Sequence, residues 1–173
     1  MKNRRLLPVC LLAVLIPVNA AARGPSTAAE RERAVRLAHM LETEPLGKKA
    51  DEARRWLAEW IQQIPDITVP VCRTLLAPVP DSMKHADEIR DQMIYSSAAF
   101  MIEHPERGDD DLAIYLAGVN GALHVYAAIV ERNPRMRLPL MDGLLEKREL
   151  GELEGWVGDG MASCGTRFFG RGG

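Results

Sequence analysis

Apolar residues along this chain return every three to four positions, and prolines interrupt them at intervals. Ala34, Leu37, Ala38 and Leu41 stand at i, i+3, i+4 and i+7, the spacing that lines one face of an α-helix. Thr27-Ala28-Ala29-Glu30 has the T-x-x-E form of a capping box, which satisfies free backbone N–H groups at a helix start, and Pro45 ends the segment. A second helix is predicted over 48–64, with Ala50, Ala53, Trp56, Leu57, Trp60, Ile61 and Ile64 on its inner face and Pro65 as its stop. Pro65, Pro70, Pro78 and Pro80 then exclude a long helix, because each lacks an N–H and restrains the residue before it. One short helix over 71–76, carrying Cys72, is expected there.

A third long helix is predicted over 82–103, with Ile89, Met93, Phe100 and Met101 inward and His104-Pro105 as its end. Asp109-Asp110-Asp111 suits the start of a fourth helix, where acids cap N–H groups and complement the dipole. That helix, 112–133, is apolar on almost every face. Pro139 fits the first turn of a fifth, to about 149, and 152–157 forms a short last one. Glycines at 158, 160, 165, 170, 172 and 173 mark 158–173 as a flexible tail. The fold class is therefore all-α: one domain over 26–157, a bundle of five to six antiparallel helices packed as hairpins around the apolar helix near 112–133.

The stretch 112–130 is nearly uncharged and approaches the length of a membrane span, with acids before it and Arg132, Arg135 and Arg137 after it. Single-pass anchoring is therefore one reading. Asn120 and His124 oppose it, since polar groups at a bilayer centre cost free energy that Ala and Gly do little to offset. A buried central helix is the expectation, with Gly118 and Gly121 admitting a neighbouring helix closely. Within it, GALHVYAAIVERNP resembles the second helix of a tetratricopeptide repeat at Ala122, Tyr126 and Pro134. The likeness covers about half of one repeat, and it implies antiparallel hairpin packing without a particular ligand.

The N-terminus changes the picture from fold to address. Lys2, Arg4 and Arg5 precede an apolar run from Leu6 to Ile16, and small residues follow to Ala22. This is the layout of a secretory signal peptide over 1–22, and it predicts a periplasmic or extracellular protein. Arg4-Arg5 leaves the twin-arginine route open beside the general one. Cleavage after Ala20 lowers Lys+Arg from 22 to 19 against 24 Asp+Glu, giving a mature charge of −5. A mildly acidic protein has no electrostatic reason to seek nucleic acid or anionic lipid. Cys10 leaves with the leader. In an oxidising compartment the remaining Cys72 and Cys164 pair most simply with each other, closing a loop whose entropy is worth about 4–5 kcal/mol at most.

Candidate chemistry is sparse. Asn120 and His124, at i and i+4, share a helix face and form a possible polar pocket, or a core amide and imidazole that satisfy each other. Glu103-His104-Pro105-Glu106 with Asp109-Asp110-Asp111 is a dense run of oxygen and nitrogen donors, but it lacks the spaced pattern of a calcium loop and reads as a turn and helix cap. His39 and His85 show no zinc spacing. Trp56 and Trp60, one turn apart on an apolar stripe, read as core anchors. Ser96-Ser97 has no nucleophile-elbow context. No catalytic residue, cofactor or metal is indicated. The leading expectation is an exported non-catalytic protein acting through protein or peptide contacts. The alternatives are small-ligand or metal binding, and anchoring through 112–130.

Overall fold

A computed structural model describes residues 23–77 and 79–164, together with the backbone of 167–169. The expected leader, 1–22, lies outside the described residues, as does most of the segment after Cys164. Among the described residues six α-helices carry the fold: α1 (Ala28–Thr43), α2 (Ala50–Gln63), α3 (Ala86–Glu103), α4 (Asp111–Arg132), α5 (Pro139–Glu149) and α6 (Leu153–Met161). The all-α bundle is the architecture that the periodicity predicts.

Local chemistry explains most helix ends. The Thr27 side chain accepts from the Glu30 N–H while Glu30 reaches back to the Thr27 N–H, so the capping box is complete. Asp110 caps α4 by accepting from the Ala113 N–H at 3.0 Å. Pro139 occupies the first turn of α5. That helix ends in a Schellman motif, with Gly151 N–H on the Arg148 carbonyl and Glu152 N–H on that of Lys147. Gly151 there adopts φ +74°, a conformation open to glycine at little cost.

Three expectations need correction. Cys72 is not on a helix: a three-residue strand β1 (Val69–Val71) precedes it, and a 3₁₀ turn (Arg73–Leu76) follows. β1 pairs antiparallel with β2 (Arg167–Phe169), with Val69 opposite Phe169 and Val71 opposite Arg167. Pro70 is tolerated because this two-stranded ribbon leaves one side of β1 free of partners. Next, α3 begins at Ala86 rather than near 82, because His85 takes a left-handed conformation (φ 68°) that breaks the helical path. Last, Gly158 and Gly160 lie within α6, which runs past 157 to Met161.

The buried side chains form two clusters that share α3. One joins α1, α2 and the 64–69 segment to Tyr95, Ala98 and Ala99. The other gathers Ile89 and Met93 with α4, α5, α6 and Leu75, Leu76 and Val79. Among the described elements α3 and α4 share the most extensive contact, and small residues make it possible. A Cβ on Gly118 would stand 2.7 Å from the Met93 carbonyl oxygen, and one on Gly121 would stand 2.5 Å from Ser96 Cβ. Both glycines thus serve the helix approach expected of them.

By length and composition α4 could cross a membrane, with mean hydropathy 1.6, yet 67% of that window is buried within the protein. It is not enclosed all round: Leu116, Ala117, Asn120, His124, Ala127 and Ala128 trace a stripe of lesser burial at helical spacing.

Candidate functional site

The residues that the sequence singles out fall in separate places. Cys72 and Cys164 form a disulfide, their Cα atoms 5.3 Å apart across 92 positions of sequence. The bridge ties the end of β1 to the chain just beyond α6. Asn120 and His124 do not satisfy each other within the core. Asn120 is half-buried and donates to the Leu116 carbonyl at 3.0 Å, while the His124 side chain is half exposed. Their shared face is the open stripe of α4, and neither lines a cavity described below. In the 103–111 turn, Arg107 pairs with Asp110 at 2.8 Å, which fits the cap reading. Trp60 is buried, and Trp56 stacks on it at 5.5 Å. Arg33 covers the Trp56 ring from outside at 4.3 Å.

A polar cluster absent from the sequence reading joins α1, α3 and α4. Ser96, buried on α3, donates to Glu42 of α1 at 2.6 Å. Gln92 donates to Ser96 and to the Ala38 carbonyl, each at 3.0 Å. His39 Nδ1 lies 3.2 Å from Glu42, and its Nε2 lies 3.2 Å from Glu103 at the end of α3. From α4, His124 Nδ1 stands 3.7 Å from the same Glu42 oxygen, an ionic rather than a hydrogen-bonding distance. Burial opposes charge on Glu42, but the surrounding His124, Ser96 and His39 outweigh it and hold the carboxyl at about 2. Burial likewise works against charge on His39, and Glu42 and Glu103 overcome it to raise its pKa.

These groups run as a chain from helix to helix and do not converge on one point. Among the described residues, no group of three or more His, Cys, Asp and Glu side chains is placed to hold a metal ion. Ser96 faces a carboxylate rather than an imidazole, so the Ser–base order of a nucleophile pair is missing. Neighbouring Ser97 donates to the Ile114 carbonyl at 3.0 Å. Both serines thus serve helix packing. Three polar residues in the middle of α3 (Gln92, Ser96 and Ser97) facing two glycines of α4 are the signal that could have exposed this seam.

The second arrangement is a cavity of about 560 Å³ between α3 and the 70–81 segment, beside Cys72. Val71, Leu76, Val79, Met93 and Ile94 supply apolar walls, and Asp81, Asp87, Arg90 and Asp91 line its polar side. Helical spacing places Asp87, Arg90, Asp91 and Ile94 on one face of α3. Arg90 is engaged: it donates to the Val79 carbonyl at 2.5 Å and pairs with Asp81 at 2.6 Å and Asp87 at 3.6 Å. Asp91 makes no hydrogen bond or ion pair among the described residues. Burial first, and then the neighbouring Asp87, push its carboxyl above the ordinary range, against the pull of Arg54. A shallower recess of about 350 Å³ lies between α4 and α5. Its charged pair, Arg137 and Asp142, is closed on itself at 3.3 Å.

Compared with protein-family models, curated proteins and solved structures, the chain matches none.

Proposed function

We propose that this chain is an exported, non-catalytic binding protein that takes a small ligand in the cavity beside the Cys72–Cys164 bridge. The observation that carries this reading is the cavity itself, with apolar walls and a carboxyl that has no partner among the described residues. Sites for small molecules commonly combine an apolar enclosure of about 300–1,000 Å³ with a few placed polar groups. The small-ligand alternative thereby gains on the expectation of protein or peptide contacts. Large exposed apolar side chains among the described residues are Leu140 and Leu150, too few for an apolar docking face. The cavity lining offers carboxylates and guanidinium groups, and its one cysteine sulfur is held in the disulfide, which supports binding rather than nucleophilic catalysis.

Export rests on the pattern of residues 1–22 and draws support from the paired cysteines, since such bridges persist in oxidising compartments. Expressing the full chain and fractionating the cells tests the address. The expected product is a soluble protein shortened at its N-terminus, with neither Cys72 nor Cys164 alkylated in the absence of reductant. Uncleaved protein with both thiols labelled would overturn export. Carbonate-resistant membrane association of the cleaved protein would instead promote anchoring through α4. A thermal-shift screen of small molecules tests the binding reading, because a ligand selective for the folded state raises the melting temperature by mass action.

A further inference from the structure

His39 meets a carboxylate on each side of its ring. Its Nδ1 lies 3.2 Å from Glu42, three residues further along α1. Its Nε2 lies 3.2 and 3.3 Å from the two oxygens of Glu103, the last residue of α3. A neutral imidazole carries one N–H and one lone pair, so one of the two carboxylates would face a lone pair. Only the imidazolium donates to both. The proton is therefore part of the joint between the helices.

The two carboxylates are held unequally. Glu42 has other anchors: it accepts from Ser96 at 2.6 Å, His124 of α4 stands 3.7 Å away, and its side chain is 15% exposed. Glu103 is 40% exposed and, among the described residues, accepts from His39 alone. A ring that has lost one proton keeps a single N–H, and the well-anchored Glu42 retains it. The tie to Glu103 is the one given up.

The groups around this joint come from three helices. Glu42 lies on α1 itself, Glu103 on α3, and His124 reaches Glu42 from α4 without touching His39. Among the described residues α2 sends His39 neither a hydrogen bond nor an ion pair. Next to Glu103, His104 pairs with Glu106 at 3.5 Å. Burial works against charge on His39, but Glu42 and Glu103 overcome it, so the ring keeps its proton above the ordinary 6.5. Loss of that proton is a local event. Ala38 and Leu41 of α1 share a buried cluster with Tyr95, Ala98 and Ala99 of α3, and these apolar contacts do not depend on the charge of the ring.

We propose that His39 is a proton-operated clasp, closed on Glu103 when the ring is charged and open when it is neutral, so that the final turn of α3 loosens as pH rises. That turn is closed by the His104 N–H on the Phe100 carbonyl at 2.8 Å, and the clasp is its fastening to α1. The device goes beyond the binding reading and stands whether or not the cavity takes a ligand.

The test follows the ring and the helix end in the folded, disulfide-bonded protein. Nitrogen-resolved NMR of the imidazoles is expected to show both ring nitrogens of His39 protonated at mildly acid pH. Glu103→Ala, a change at an exposed side chain, should lower the midpoint at which that ring titrates. Amide exchange at 101–104, corrected for its intrinsic dependence on pH, should quicken about threefold across the His39 titration, the scale of one exposed ion pair. In Glu103→Ala and in His39→Gln this step should vanish, leaving the faster exchange on both sides. A His39 midpoint unmoved by Glu103→Ala, or exchange at 101–104 that ignores pH in the unaltered protein, would overturn the clasp. A step that survives in both variants would assign the response to His104 and overturn it equally.

Discussion

Helix α3 carries two polar clusters, and they differ in how completely they are satisfied. On one face Gln92 and Ser96 meet Glu42, His39 and the Ala38 carbonyl, and nearly every donor has an acceptor. On another, Asp87 and Asp91 border a cavity, and only Arg90 is fully engaged. The first couples three helices. Its charges are made favourable by partners that the fold itself supplies. The second carries a carboxyl that burial makes unfavourable, a cost more consistent with binding than with holding the fold together. A buried polar group thus has opposite meanings according to whether its neighbours complete it.

The comparison can be broken most forcefully at Gly121. Gly121→Leu drives a side chain into Ser96 and Glu42, where the Ser96 Cβ, fixed to the α3 backbone, leaves little room to yield. It should cost about 3 kcal/mol, at the upper end of overpacking effects, and be visible as a large drop in melting temperature. Glu42→Ala comes next. It leaves the Ser96 hydroxyl without its acceptor and His39 with Glu103 alone, so about 2 kcal/mol is expected by chemical denaturation. If that loss were near zero, the cluster would be a surface ornament and its contrast with the cavity would disappear.

The two clusters should also respond oppositely to pH. Glu42 is depressed from 4.5 to about 2, so its contribution is present above about pH 4.5 and is lost as pH falls towards 2. His39 is raised above 6.5, so its contribution is full below that value and is lost as pH climbs through the folded pKa. Stability from this cluster should therefore peak between about pH 5 and 6.5, and Glu42→Gln should flatten both limbs in unfolding curves taken across that range. Asp91 runs the other way. Its folded pKa lies above 3.8, so ionisation costs stability as pH rises past that point. Asp91→Asn should modestly stabilise the ligand-free protein at neutral pH, read as a rise in melting temperature. A destabilised Asp91→Asn protein would mean that the carboxyl is paired after all.

The features visible in the sequence were those whose causes are local. The capping box of α1 and the prolines that stop α2 and open α5 act within a few residues of themselves. The features it hid depend on distance along the chain. β1 is three residues long, contains Pro70 and is paired with residues nearly a hundred positions away, so no alternation could announce it. Reading 71–76 as a helix was reasonable from Leu75 and Leu76 alone. The average apolarity of α4 conceals the stripe that faces outward, on which His124 lies. Glu42, His39 and Glu103 gave no motif because their meeting is made by helix packing. Asp91 belongs to no motif, and its place beside the cavity is set by how α3 meets the 70–81 segment.

The bridge between Cys72 and Cys164 also sets an order of events during synthesis. Every helix of the α1–α2–α3 cluster has been translated by residue 103, so that half can consolidate while the ribosome is still working. The cluster around α4 cannot close so early, because Leu153 and Val157 of α6 cover it and the second sulfur arrives only at residue 164. Until then Leu123 and Tyr126 belong to an unfinished surface, the kind of nascent apolar patch on which chaperones act and from which aggregates grow. Closure of the bridge then records that the late half has been delivered.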